Sequence, residues 1–249
     1  MFEYKTLKLQ TEKEKNIKYN KLLLKSLKKE VEDLIIQIND FNVANELYTS
    51  LDFEIGKDQQ NLATGYSYII GRKPINKDNV KELYDILSEG LLDDYSLENM
   101  GKYYRNKDAY ILDTTPIFMD RYTKGIEPEK VESKMEDLFE YINKNNETDI
   151  IEKYIKSQVI HYYMAYIHPY YDVNGRCART LSMWYLLKEN LYPFILFNRG
   201  IYKNRADYKS AILRCNNGNI TPFIEFSLKV LKKELEEYIS YEDIPTKRK

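Results

Sequence analysis

Between Tyr154 and Leu191, two apolar runs at helical spacing are broken by one polar corner: His168-Pro169-Tyr170-Tyr171-Asp172-Val173-Asn174-Gly175-Arg176-Cys177-Ala178-Arg179. Tyr154, Ile155, Val159, Tyr162, Tyr163, Tyr166 and Ile167 recur with the helical period before it, and Leu181, Trp184, Tyr185, Leu187 and Leu191 do so after it. Pro169 pushes the residue before it out of the helical region, so His168 is predicted where the first helix stops, facing a loop. The second helix is predicted to open near Asn174 and Gly175, where its first amides have no intrahelical partner. The expected class is therefore mainly α.

Such a helix start binds anions through free N–H groups and the positive end of the dipole. Arg176 and Arg179 lie three apart on its first turn and share a face, adding two cations whose forked donors suit phosphate oxygens. A single phosphate hardly needs so much positive charge; a polyphosphate does. Asp172 would repel that phosphate unless a cation lay between them, and Mg2+, usually held by one or two carboxylates plus substrate phosphates, fits the position. His168, ordinarily titrating near ~6.5, can accept a proton from an incoming hydroxyl near neutral pH. An isolated His-Pro is most often a helix end and an isolated Asn-Gly a turn. Seven compatible identities within twelve residues favour the functional reading.

At this point the sequence resembles the Fic domain family, whose signature runs His-Pro-Phe-x-Asp/Glu-Gly-Asn-Gly-Arg-x-x-Arg. Tyr170 stands for the phenylalanine and Val173 for the first glycine. A β-branched residue resists positive φ, so either the loop keeps Val173 in an ordinary conformation or the anion cradle is altered. Tyr104-Arg105, an extended stretch, a helix from Val131 to Ile142, the signature and Tyr208 follow in the family's order, so the resemblance spans roughly residues 40 to 235. It implies a protein adenylyltransferase that moves AMP from ATP to a hydroxyl side chain of a target protein. In that scheme His168 deprotonates the hydroxyl and Asp172 holds Mg2+. Asn174, Gly175 and Arg176 hold the α and β phosphates, and Arg179 takes the γ-phosphate.

The resemblance gives meaning to two weaker features. Phe41, Ala44, Leu47, Tyr48 and Leu51 mark an apolar helical stripe on which Ser50 and Glu54 would share a face. Alone, such a pair is ordinary solvated surface. Within this family, residues 46–56 look like an inhibitory helix patterned Ser/Thr-x-x-x-Glu-Gly/Asn, with Ile55 replacing the last position. Its glutamate is then expected to pair with Arg179 and displace the γ-phosphate, in cis or across a homo-oligomer. Ala109 to Leu112, a turn at Asp113-Thr114-Thr115, and Pro116 to Met119 read as a β-hairpin with an edge strand. The family's flap sits here, so Ile117 and Phe118 are candidates for docking the target segment by strand addition; a plain structural hairpin is about as good a reading.

The expected organisation is an N-terminal helical appendage over residues 1–40, a Fic-type domain over 41–240, and a basic tail over 241–249. Residues 5 to 38 read as one charged amphipathic helix carrying Leu22, Leu23, Leu24, Leu27, Val31, Leu34, Ile35 and Ile38. The 249 residues, 43% hydrophobic, are enough for a buried core. A net charge of -1 argues against nucleic acid engaged through bulk charge. Cys177 and Cys215 imply no disulfide framework, and no segment resembles a signal peptide or a membrane span, so a cytoplasmic location is expected. The 24 tyrosines offer hydroxyls for self-modification. His161, seven residues before His168, reads as a core histidine rather than a metal ligand. Among Arg199, Lys203, Arg205, Tyr208 and Lys209, Tyr208 is the candidate to border an adenine pocket. Three alternatives stay open: the same fold with another donor or direction (other nucleotidyl, phosphocholine or phosphoryl transfer, or removal of AMP), a catalytically dead nucleotide-binding scaffold, and a generic helical interaction protein.

Overall fold

The computed structural model describes residues 3–11, 15–71, 73–113, 121–144, 147–215 and 217–242. Its centre is α7 (Ile150–Ile167), which buries every residue from Tyr154 to Met164. A helix that is apolar on nearly all sides has to be surrounded. It packs against α8 (Asn174–Lys188), itself buried over most of Cys177 to Leu187, and the two form the predicted pair of arms around the polar corner. Against this pair lie α3 (Gly56–Ile70) and α4 (Lys77–Ser88) on the α8 side, and α6 (Pro128–Asn143) on the α7 side. The long α11 (Thr221–Glu242) closes the bundle, contacting α7, α9 (Leu196–Lys203), α10 (Arg205–Leu213) and α1 (Lys25–Ile35). Two short helices, α2 (Val43–Thr49) and α5 (Asp94–Asn99), complete the set. The helix starts have local causes: Asn42, Asn76, Asp93 and Asp149 each accept a backbone N–H three residues on, and Pro128 opens α6, where its missing N–H costs nothing. The class is mainly α, and no described helix is long and apolar enough to cross a membrane.

Three expectations need correction. Residues 5 to 38 are not one amphipathic helix. β1 (Tyr4–Gln10) pairs antiparallel with β2 (Asn16–Asn20), with Tyr4 opposite Asn20 and Lys5 opposite Tyr19, and the helix begins only at Lys25. The signal was a period of two: Leu7 and Leu9 are buried while Lys8 between them is exposed, as are Ile17 and Tyr19 around Lys18. This hairpin and α1 join the same hydrophobic cluster as the rest of the bundle.

Residues 46–56 are likewise not one helix. After α2 a 3₁₀ turn spans Ser50–Phe53, Glu54 and Ile55 are extended, and Gly56, at φ 61°, turns the chain into α3. A φ of that sign suits glycine, which has no Cβ to clash. Ser50 and Glu54 therefore do not share a helical face.

The second hairpin exists with a later return strand. β3 (Tyr110–Asp113) pairs with β4 (Arg121–Lys124), Tyr110 facing Lys124 and Asp113 facing Arg121. Asp113, expected in the turn, thus belongs to β3, and the predicted return strand over 116–119, with the docking candidates Ile117 and Phe118, lies outside the described residues. The basic tail beyond Glu242 also lies outside them.

Candidate functional site

At the end of α7 the chain makes a left-handed step at His168 (φ 51°, ψ 59°), whose N–H still reaches Met164 O at 3.2 Å. A non-glycine residue held there stores about 1–3 kcal/mol and persists only when its surroundings over-determine it. They do. The Asn174 amide clasps the loop from inside: its Oδ1 accepts the Tyr170 N–H at 3.0 Å and its Nδ2 donates to Tyr170 O at 2.8 Å. Tyr170, fully buried, stacks on Tyr84 with centroids 3.6 Å apart, so the exchange of phenylalanine for tyrosine keeps the aromatic anchor. Asp172 Oδ1 accepts the Val173 N–H at 2.6 Å.

Val173 settles the question its β-branch raised. It takes φ 65° and ψ 2° all the same, buried to 3% exposure, so the backbone makes the turn that a glycine would have made freely. The bond to Asp172 and the packing of the isopropyl group hold it there. The first helical bond of α8 is then donated by Cys177 N–H to Val173 O at 3.0 Å, which leaves the amides of Asn174, Gly175 and Arg176 at the helix mouth. Because the Asn174 side chain is committed to the loop, what that residue can offer an anion is its backbone N–H.

Both signature arginines are engaged by carboxylates of the preceding segment. Arg179 Nη2 lies 3.5 Å from Glu54 Oε1, which also accepts the Tyr202 hydroxyl at 3.0 Å, and the guanidinium sits 5.2 Å from the Tyr202 ring centroid. So the expected pairing of Glu54 with Arg179 is met although the helix that was to present it is broken. Arg176 pairs with Asp58 on the first turn of α3, a partner the sequence reading missed. Ser50 donates to Leu47 O at 2.7 Å and lies 3.2 Å from the Tyr66 hydroxyl, steadying the 3₁₀ turn. Glu46, buried, takes Arg199 Nη1 at 3.2 Å, and Arg199 is bound in turn by Glu234. Glu46, Ser50, Glu54 and Asp58 are spaced by four, a regularity that would have flagged Asp58.

The two histidines behave alike. Burial pushes the His168 imidazole down to about 4, with the Arg105 charge adding to it, so the ring is neutral at pH 7 and able to accept a proton. Burial takes His161 to about 3; its Nε2 is 2.8 Å from the Tyr208 hydroxyl, and its Nδ1 has no partner among the described residues. Tyr208 also faces Arg179. It therefore buttresses that arginine from the α10 side. Cys177 is buried, and its thiol is pushed well above the usual range, so it is a packing residue. Among the described residues, no three His, Cys, Asp or Glu side chains gather closely enough to hold a metal on their own. An ion beside the exposed Asp172 would draw its other ligands from phosphate and water, the arrangement usual for Mg2+.

Residues 74–186 match the Fic/DOC family. Protein adenylyltransferase fic-1 of Caenorhabditis elegans is 28% identical over 126 residues, 51% of this chain and 24% of the relative. Protein adenylyltransferase Fic of Nematostella vectensis is 26% identical over 137 residues, 55% of this chain and 29% of the relative. The matched region thus spans only about a quarter of these relatives. In three dimensions the chain resembles a Fic family protein from Desulfovibrio desulfuricans G20, at TM-score 0.63 and 18% identity over 89% of this chain and 67% of that one. It equally resembles Fic-1 from C. elegans, at TM-score 0.63 and 15% identity over 89% and 73%. With the signature residues on one corner of such a bundle, the chain has the Fic fold, and the part of it that matches the Fic/DOC family is the part that builds this corner.

Proposed function

We propose that the chain is an autoinhibited protein adenylyltransferase. The observation that carries this reading is the convergence of a neutral imidazole, the open amides of α8 and two arginines on one loop, with a carboxylate already on each arginine. A polyphosphate laid along that mouth meets the amides of Asn174, Gly175 and Arg176 first and the Arg176 and Arg179 guanidiniums beyond. His168 takes the proton of the target hydroxyl as its oxygen bonds to the α-phosphorus. The bond from that phosphorus to the bridging oxygen breaks, and pyrophosphate leaves with the electron pair. Catalysis of this kind is positioning and charge stabilisation, which the corner supplies with little rearrangement. Mg2+ would be held by Asp172 and the phosphates, and would neutralise charge on the leaving group.

Glu54 and Asp58 are the brake in this reading, because each occupies a guanidinium that a phosphate needs. The β3–β4 hairpin, with Ile117 and Phe118 as the docking candidates, is assigned the role of holding the target segment. The names of the relatives support AMP as the transferred group. Val173, the feature that favoured another donor or direction, turns without distorting the start of α8 and so no longer argues for one.

The test is to incubate the Glu54→Gly protein with Mg2+ and, separately, each α-labelled nucleoside triphosphate or a choline-phosphate donor, and to locate the added mass. Self-labelling by one AMP from ATP, well above the unsubstituted protein, is expected. Labelling by another donor, or no gain over the unsubstituted protein with ATP, overturns the reading.

A further inference from the structure

We infer that Arg105 is a positioning residue for transfer: its guanidinium fixes the His168 backbone and the two feet of the β3–β4 hairpin into one rigid unit, setting how far the base stands from a hydroxyl held on the hairpin. The inference rests on the adenylyl-transfer reading and adds to it a residue outside the signature. Arg105 is 2% exposed and forms no salt bridge among the described residues; each of its three guanidinium nitrogens donates to a backbone carbonyl. Nε donates to His168 O at 2.8 Å, Nη1 to Lys107 O at 2.8 Å and Nη2 to Ile126 O at 2.6 Å. Its own N–H donates to Pro169 O at 3.0 Å.

The three acceptors are well chosen for such a role. His168 is the left-handed residue that carries the proposed base, so a bond to its carbonyl holds the backbone from which the ring projects. Lys107 leads into β3 and Ile126 follows β4. A second tie runs parallel: the Tyr171 hydroxyl accepts the Lys107 N–H at 3.0 Å and donates to Asn99 O at 3.1 Å. A planar guanidinium can serve three carbonyls at fixed angles, whereas an ammonium is a single point. Room for the fork comes from Gly125, where an added Cβ would lie 3.1 Å from Nη2 and 3.3 Å from Ala109 O.

The experiment uses Arg105→Lys and Gly125→Ala, each in the Glu54→Gly background with Mg2+ and α-labelled ATP. A displacement near 1 Å can cost about 10²-fold, so Arg105→Lys is expected to slow self-labelling by at least ~10-fold. Its ATP dissociation constant, read by calorimetry, should stay within about twofold, since the arginine touches no phosphate-binding group. Gly125→Ala should give a smaller loss of the same kind, and it serves if Arg105→Lys fails to fold. Unchanged labelling in the two variants, or a loss of ATP affinity in step with the rate, overturns the inference. A second readout does not need activity: the protein has only two histidines, and the His168 ring signal in NMR should move in both variants while that of His161 stays. If the Glu54→Gly parent itself is silent with ATP, the transfer reading fails, and the His168 signal still decides whether Arg105 positions that ring; an unmoved signal rejects it.

Discussion

The signature loop and the segment proposed to block it are built in opposite ways. The loop from His168 to Asn174 is closed by short bonds to buried backbone: the Asn174 clasp on Tyr170, the Asp172 bond to Val173, and the Arg105 fork on His168 O. The blocking segment is a 3₁₀ turn followed by two extended residues, with Ile55 84% exposed and its key contact, Glu54 to Arg179, at 3.5 Å. Strained backbone is tolerated in the first because many bonds over-determine it. The second relies on a few side chains that a phosphate could replace one for one. A pre-built site under a detachable cover is what the proposed inhibition by competition needs, since release of the cover would then cost the catalytic geometry little.

The largest effect expected is chemical. Losing a general base typically removes roughly 10²–10⁴ in rate, so His168→Ala should abolish detectable transfer while ATP affinity stays near its original value. Undiminished self-labelling of the variant in the Glu54→Gly background would remove His168 from the mechanism.

Stability measurements sharpen the contrast directly. Asn174→Ala strands a buried N–H and a buried carbonyl of Tyr170, each worth about 1–3 kcal/mol, so a loss of about 2–6 kcal/mol by urea unfolding is expected. Glu54→Gly removes a long, partly exposed ion pair worth about 1 kcal/mol or less. Equal losses for the two would mean that the cover is as integral to the fold as the loop.

Acid should destabilise the fold through its two histidines. The folded pKa values of about 4 for His168 and about 3 for His161 lie below the unfolded value near ~6.5, so both stabilise fully above that value and progressively less as pH falls. Between about pH 6 and pH 4 the unfolded chain binds up to two more protons, a slope approaching about 2.7 kcal/mol per pH unit. A urea midpoint that stays flat from pH 7 to pH 5 would contradict the buried, neutral state of both rings.

The smallest effect is expected at Val173. Glycine there would relieve about 1–2 kcal/mol of left-handed strain and forfeit roughly 1.5 kcal/mol of buried side chain, so Val173→Gly should change stability by less than about 1 kcal/mol. Transfer should likewise stay within about twofold, since the turn is already made. A large gain in labelling would show instead that the valine holds the phosphate mouth out of shape.

Much of the site was legible because it is local. His168 at a helix end, the opening of α8 at Asn174 and the shared face of Arg176 and Arg179 all follow from twelve consecutive residues and the helical period. The Glu54 pairing was also legible, through the resemblance, although the local structure assumed for it was wrong: helical spacing cannot register a break that Gly56 and the docking of residues 50–55 impose. The N-terminal hairpin was misread because a leucine-rich run around residue 24 outweighed the alternation of Leu7, Leu9, Ile17 and Tyr19.

What the sequence determined by itself is the chemistry available at one corner, since a histidine, a carboxylate, free amides and two arginines brought together by a proline and a helix start need no distant help. Only the tertiary structure decided how that corner is held and covered. Arg105 reaches His168 across 63 residues, Asp58 reaches Arg176 across 118, and Glu54 reaches Arg179 across 125. Bonds at such separations depend on how α3, α7 and α8 pack, and no local period encodes them. The same packing forces Val173 into a conformation its own side chain disfavours: local preference sets what a residue does cheaply, and the folded whole sets what it does.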